Sequence, residues 1–544
     1  MIRRAGPATA ALLVLLAVLH AAPAGAAQAR AGAANPPSPN LLAKVSPKDR
    51  RDWLRAIAIA DRTSSVRGQR TRYPGLRSTS FAREGRCCMT VWYTARGDVR
   101  AVVKLDLHTG AIREQWSGWQ ASWEMARGYQ GDFGHSFNSP WVLIPLGLLF
   151  LAPFFDPRRP FRLLHLDLLV LLAFGISHVL FNAGHIGESV PLVYPVLGYL
   201  LVRMLVVGFR PRPAREPLVP YARATWLVVA TLLLVGGRIG LNLVDSNVLD
   251  VGYAGVIGAN HIANGEELYD GHFAADPPAG DTYGPVMYLA YLPFERTIGW
   301  SGKWDAVPAA HGAAIAFDLL TLLGLFLLGR RLRAGPEGRL LAGALTFAWA
   351  AYPYSLFALS TNSNDALVSA IVVFALLGLA SAPVRGALIA LGAAAKIAPA
   401  ALAPLFLNPR GEGRRQPLLF VAAFVLVLVV TIVPFLPPGG LRQLYDHTLG
   451  FQLGRNSPCS IWTQDTGLGG LHTVVELVAV NFAAILLIVP ARKSLLQVAA
   501  LGAAVLIAFQ IAAAYWFYLY VLWFAPLVLV ALFARHERTG VLRH

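Results

Sequence analysis

Residues 245–294 read DSNVLDVGYAGVIGANHIANGEELYDGHFAADPPAGDTYGPVMYLAYLPF. The stretch mixes carboxylates, tyrosines and glycines, and it hangs between the apolar runs 221–243 and 307–328. Each run approaches or exceeds the ~20 residues an α-helix needs to cross a bilayer, which holds the polar loop at a membrane surface. With Ser246 or Asn247 as N-cap, Asp250 falls in the first turn of a helix, Tyr253 and Ile257 share its face, and His261 lies farther along. A carboxylate there serves either as a general base or as a plain complement to the helix dipole. Asp245 and Asp281 flank turn-like segments, where Asp is common for conformational reasons. His261 and His272 read either as assisting groups or as ordinary loop residues.

The chain has 544 residues, 56% hydrophobic and 14% charged, which places it among polytopic membrane proteins. Its net charge of +17 does not point to nucleic acid, because the basic residues form short clusters between apolar runs with no aromatic-interleaved basic face. The clusters fall at 157–162, 210–215, 329–339, 410–415, 491–493 and 534–538, and the positive-inside rule assigns them all to the cytoplasmic side. Crossings then fall at 141–155, 163–181, 190–209, 221–243, 307–328, 340–357, 366–380, 417–436, 468–489, 495–513 and 518–533. The expected fold is an all-α polytopic membrane protein of about 11 spanning helices plus re-entrant segments, with a small external α+β N-terminal domain.

Two apolar segments do not fit as crossings. Residues 284–300 contain Pro285, Pro293, Glu295 and Arg296, and counting them as a span would put 330–333 outside; a re-entrant or interface-lying segment is expected. Residues 387–407 lie between Arg385 and Arg410 and contain Lys396, Pro399 and Pro404. A hairpin of broken helices follows, tolerated at membrane depth only where protein or water satisfies the freed backbone groups. The outer face then carries the loops 244–282, 360–365 (STNSND) and 437–467, with the turn YWFY at 515–518.

The N-terminus has the three parts of a secretory signal over 1–26, cleaved or retained as an anchor. Residues 27–139 should be external, with 27–40 too rich in Ala, Gly and Pro to pack. From Met89 the chain alternates on strand-like runs, with turn signals at Arg96-Gly97-Asp98 and His108-Thr109-Gly110, and a helix is expected over 47–59. A three-helix membrane unit (140–209), a larger membrane domain (210–538) and an inner tail (539–544) complete the division. The three-helix unit carries His165, Asp167, His178, His185 and Glu188. The first two belong by position to the inner interface, and His185 with Glu188 offers at most a turn-borne metal pair. Cys87, Cys88 and Cys459 should all be external. A vicinal bridge would be strained, and pairing with Cys459 requires the N-terminal domain to reach the outer loops.

Several of these elements recur in one known group. Asp250-x-x-Tyr253, Gly265-x-x-x-Tyr269, and Tyr283-Gly284-Pro285 entering an apolar segment that ends in Leu292-Pro293 together resemble the first external loop of the superfamily C (GT-C) glycosyltransferases. The likeness is greatest to bacterial polyprenol-phosphate-mannose-type mannosyltransferases, which more often show Tyr-Pro-Pro where this chain has Tyr-Gly-Pro. Ala395-Lys396-Ile397-Ala398-Pro399 is similar to the family's Lys-x-x-Pro element, and a late aromatic cluster precedes the last span. The likeness covers roughly 221–538. The 106–110 turn also resembles the Asp-x-x-Thr-Gly turn of small external PepSY-like domains.

The GT-C resemblance implies an enzyme, a hexosyltransferase that moves a sugar, mannose favoured, from a polyprenyl-phosphate donor to a lipid or glycan acceptor hydroxyl. The reaction would take place on the outer face of a bacterial-type cytoplasmic membrane. It assigns the general base to Asp250 and substrate contacts to Tyr253, Tyr269 and Tyr283, to which His261, if an assisting group, would add a fourth. Arg455 leads the phosphate candidates, with Lys396 or Arg238 beside it; Lys396 otherwise snorkels to the surface and Arg238 to the interface. Trp462 offers a ring for sugar or lipid, and Asn364 a cavity-lining amide. Lipid-monophosphate donors often need no metal, and the acids of the first loop form no convincing metal cluster, so no cofactor is expected. Two other classes fit a polytopic chain. A lipid or solute transporter should show internal repeats, and none is visible; a receptor or scaffold would use the external domain and dispense with Asp250.

Overall fold

Among the described residues, six helices are long and apolar enough to cross a membrane by length and composition, or seven if one bent pair counts as a single span. The computed structural model of the protein describes residues 46–85, 87–95, 97–128, 133–271, 273, 280–303 and 307–538. The expected signal or anchor (1–26), the segment 27–40, His272 and the tail 539–544 lie outside the described residues. The chain divides into two units, Arg30–Tyr129 with Val179–Ser189, and the remainder.

In the N-terminal unit, α1 (Pro47–Ala60) and α2 (Ser64–Arg72) precede four antiparallel strands in sequence order: β1 (Arg77–Glu84), β2 (Cys88–Ala95), β3 (Asp98–Asp106) and β4 (Ile112–Ser117). Ser46 and Thr63 cap the helices through their hydroxyls, each satisfying an otherwise unpaired backbone N–H. The period-2 pattern puts Met89, Val91 and Tyr93 of β2 and Ala101, Val103 and Leu105 of β3 on one face, against Trp53, Ala56, Ala60 and Val66. Asp106 shapes the 106–110 turn by accepting from the amides of His108 (2.8 Å) and Thr109 (3.1 Å). Cys87 and Cys88 are bridged to each other, and Cys459 is a buried free thiol.

The second unit is helical, and residues 179–182 and 186–189 at the ends of two of its helices count with the first unit. Its elements are α3 (Pro140–Leu151), α4 (Leu163–Asn182), α5 (Ile186–Phe209), α6 (Ala224–Val244), α7 (Asp250–Asn264), α8 (Pro285–Ile298), α9 (Pro308–Leu332), α10 (Gly335–Ala351), α11 (Pro353–Ser360), α12 (Asp365–Leu377), α13 (Ala382–Ala395), α14 (Arg415–Ile432), α15 (Gly469–Ile485), α16 (Leu495–Ala512) and α17 (Val521–Phe533). Leu232, Leu233 and Val244 on α6 and Leu426 and Val430 on α14 are more than half exposed. Apolar surface of that extent is paid for in water but not in lipid, so the protein is membrane-embedded. Helices α9 and α16 are the most buried of the membrane-length helices among the described residues.

The expected boundaries need correction in three places. The run 340–357 is not one straight helix: Pro353 starts a new helix and the chain bends by 55° between α10 and α11, the geometry of a broken span or a re-entrant loop. The runs 141–155 and 468–489 give helices short of the membrane length, as do those at 366–380 and 518–533. The helix of residues 250–264 has Leu249 at its N-cap with no side-chain cap, whereas Ser246 bonds back to the Asn242 carbonyl (2.6 Å) and Asn247 accepts from the Gly134 amide (2.9 Å).

The basic clusters at 157–162, 210–215, 329–339 and 534–538 meet at one end of the bundle. A parallel pair, β5 (Ala214–Pro217) with β6 (His536–Arg538), joins two of them. Arg162 and Arg159 both bond Glu216 (2.8 and 3.2 Å), and Arg333 donates to the carbonyls of Ala534, His536 and Glu537. The loops expected on the outer face likewise gather together, at the candidate site.

Candidate active site

The Asp250 turn is built by the loop that follows α11. Asn247 N–H donates to the Ser360 carbonyl and Leu249 N–H to the Thr361 carbonyl, both at 3.0 Å. Asn362 Nδ2 adds a bond to the Asn247 carbonyl (2.8 Å). Gly252, Gly255 and Gly258 turn a side-chain-free stripe toward this loop and toward Tyr291 and Tyr288 of α8, where any Cβ would collide. Asp250 is thereby fixed while its carboxylate stays exposed, bonded only to the Val251 amide (2.8 Å) among the described residues.

The alternative acids are committed elsewhere. Asp245 is held by His135 (2.9 Å) and by the Ser136 hydroxyl. Asp281 receives His447 Nδ1 at 2.6 Å, and burial raises its carboxyl above the usual range against the pull of that histidine.

Tyr283 is the hub. Its carbonyl accepts from Tyr269 (2.7 Å), whose own carbonyl accepts from Gln443 (2.7 Å), so the first loop and the 437–467 loop are stitched together. Burial raises the Tyr283 hydroxyl pKa; Arg455 acts against that rise, while Asp250, Tyr515 and Asp365 reinforce it. These five groups therefore share one electrostatic neighbourhood. Arg455 donates to the Tyr515 hydroxyl at 2.7 Å and lies over its ring at 3.7 Å. Burial works against the Arg455 charge, but Tyr515, Tyr283, Tyr520 and Asp250 outweigh it and raise the group above its ordinary value. Arg455 Nε has no partner among the described residues, which leaves a donor for an incoming anion.

Lys396 stands where the broken hairpin breaks. Helix α13 ends at Ala395 and a short 3-10 turn resumes at Ala398–Leu402. Lys396 Nζ meets Asp365 Oδ1 at 2.6 Å, and the same oxygen accepts from Trp523 Nε1 at 2.8 Å. The rings of Trp523, Tyr283 and Tyr520 surround the ammonium at 5.3–5.9 Å. Asn364 next to this pair is buried with both side-chain polar atoms unpartnered among the described residues, as is the Tyr291 hydroxyl. Buried polar atoms of that kind are normally satisfied, so they mark a place for a polar ligand or water.

Gly284 joins the two halves. A Cβ built there would stand 2.0 Å from the Ala394 carbonyl oxygen, at the edge of the Lys396 break. Gly284 therefore permits a direct backbone contact that a Cβ would forbid. Gly284→Ala is expected to cost about 1–3 kcal/mol of stability, as overpacking does, and to separate Tyr283 from Lys396; thermal melting in detergent checks it, and an unchanged melt would mean the contact is slack.

Four sequence candidates fall outside this group. Arg238 is buried on α6 in an ion pair with Asp318 (2.8 Å), and it also donates to the Ala350 carbonyl (3.1 Å), while Trp349 Nε1 reaches the same Asp318 oxygen (2.8 Å). Trp462 is buried, bonded to the Ile511 carbonyl (2.7 Å) and stacked on His472 (4.8 Å), so its ring is not free for a sugar. His261 lies eleven residues beyond Asp250, about 16 Å along the helix, and faces Glu266 at 3.7 Å. Tyr253 is buried on α7 beside Trp300.

Sequence reasoning missed how α4 and α5 contribute. The Arg455 loop and the aromatic turn are laced together through Ser457 N–H to Ala514 O (3.0 Å), Ser460 Oγ to Ala513 O (2.9 Å) and Thr463 Oγ1 to Ala514 O (3.1 Å). Tyr194 of α5 accepts from the Ile461 amide (3.1 Å), Ser177 of α4 bonds the Tyr518 hydroxyl (2.7 Å), and the His178 ring stacks on Tyr518 at 4.5 Å. These helices brace the wall that presents Arg455 and Tyr515. Asp167 is spent on Arg203 (2.8 Å) and Tyr199 (2.8 Å), and His165 on the Asp156 amide (3.1 Å) and the Pro160 carbonyl (2.8 Å). No protein-family model matches the chain, and no curated protein matches it significantly.

Proposed function

We propose that the protein is an integral membrane glycosyltransferase that moves a sugar from a polyprenyl-phosphate donor to an acceptor hydroxyl. The observation that carries this reading is the surroundings of Tyr283, where the Lys396 ammonium lies 5.8 Å from the ring and the charges of Arg455 and the exposed Asp250 carboxylate both act on the hydroxyl. The acceptor oxygen attacks the anomeric carbon, Asp250 takes its proton, and the bond from that carbon to the phosphate oxygen breaks. The lipid phosphate leaves with its charge facing Arg455 Nε and the Lys396 ammonium. Asp365 holds Lys396 in place until the donor phosphate competes for it. The unsatisfied polar atoms of Asn364 and Tyr291 support the reading, as groups that sugar hydroxyls would satisfy.

The reading includes about eleven crossings, with the basic clusters inside and the site open to the outer face, and mannose as the first sugar to try. Membranes containing the full chain, supplied with a panel of polyprenyl-phosphate sugars, are expected to release free lipid phosphate and yield a glycosylated product by mass. A well-inserted protein that turns over no donor in the panel, and binds none, would sink the proposal.

A further inference from the structure

Lys493 lies in the turn between α15 and α16. It is 3% exposed, and its ammonium has no hydrogen-bond or ion-pair partner among the described residues. Burial lowers its pKa to about 8, which still leaves it charged near neutrality. A buried ammonium without a counter-ion is costly, so a native structure normally supplies one.

The surroundings supply only more positive charge. Lys493 N–H donates to the Pro409 carbonyl at 2.6 Å, which fastens the turn to the 408–415 loop. Arg410, Arg414 and Arg415 of that loop and Arg492 beside it are exposed. The loop's acid, Glu412, is taken by the fully buried Arg385 at 2.9 Å. Helix α16 begins two residues after Lys493, with its Ser494–Gln497 capping box complete, and its N-terminal dipole adds to the positive field. Next to this cluster, Ile488 (69%), Val489 (45%) and Leu418 (55%) present exposed apolar side chains. A ligand that is anionic at one end and apolar at the other matches both features.

We propose that Lys493, with Arg492 and the arginines of 410–415, binds the phosphate of an anionic lipid headgroup whose acyl chains lie along α14 and α15. The site is separate from the one assigned to sugar transfer and does not depend on that reading.

The full chain in neutral detergent is titrated with phosphatidylglycerol, phosphatidylcholine or inorganic phosphate, following thermal melting and bound lipid by native mass spectrometry. Phosphatidylglycerol is expected to bind and stabilise the protein, and Lys493→Met to weaken that binding about tenfold, the loss of one charge-assisted contact. Lys493→Arg is expected to retain most of it, and phosphatidylcholine to have little effect. Should Lys493→Met fail to fold, the exposed-site variant Arg414→Gln/Arg492→Gln is expected to show the same weakening. Equal phosphatidylglycerol binding by wild type and these variants would overturn the site, and equal stabilisation by inorganic phosphate would overturn the lipid as its ligand.

Discussion

Asp250→Asn is expected to lower sugar transfer by about 10²–10⁴-fold, the usual contribution of a positioned general base, without unfolding the protein. The substitution keeps the size and polarity of the side chain, and the turn that holds residue 250 is made by the backbones of Asn247, Leu249, Ser360 and Thr361. Donor binding, read with a non-transferable phosphate analogue, should therefore survive while turnover is lost. Asp245→Asn and Asp281→Asn are the informative controls, since those acids are bound to His135 and His447 and should act through loop geometry. Turnover that survives Asp250→Asn but collapses in Asp281→Asn would transfer the base role to the His447 pair.

Arg238→Met is expected to destabilise the protein by about 3–5 kcal/mol, because it strands the buried carboxylate of Asp318. Replacing both partners, Arg238→Met with Asp318→Leu, should recover most of that loss, as apolar substitutes for a buried ion pair commonly do. Trp349 Nε1 then loses its acceptor, so recovery is incomplete. Melting temperatures of the two variants in detergent check the sign, and transfer by the double variant checks the role. Activity close to wild type in the double variant would confirm that Arg238 braces α6 against α9; donor affinity lost in proportion to the charge would return it to the phosphate.

These partners explain how far the chain could be read beforehand. Apolar runs and prolines mark where helices begin and break, so the expected helix at 47–59, the strand pattern after Met89 and the interruption around Lys396 all have counterparts among the elements. Asp250 does stand in a first turn, though not through the expected caps, since Ser246 and Asn247 are bonded elsewhere. Pairings across distance leave no such mark. Arg238 and Asp318 are 80 residues apart, and Tyr194 and Ile461 are separated by 267. A lone arginine in an apolar helix looks the same whether its partner is a carboxylate on another helix or a ligand. The burial of Trp462 depends on His472 and the Ile511 carbonyl, and the approach of Gly284 to Ala394 depends on a tertiary contact. The first strand, Arg77–Glu84, escaped because its residues are half-buried or exposed and show little alternation.

The strand pair at the basic end bears on how the molecule comes to be made. Residues 214–217 wait for residues 536–538, with which they pair, and Arg333 waits for the carbonyls of Ala534, His536 and Glu537. Synthesis at roughly 5–20 residues per second puts tens of seconds between the two halves of that pair. Early helices must therefore sit in the bilayer with one end open until the ribosome has nearly finished, so a stalled or shortened product would be left recognisable to quality control at that open end.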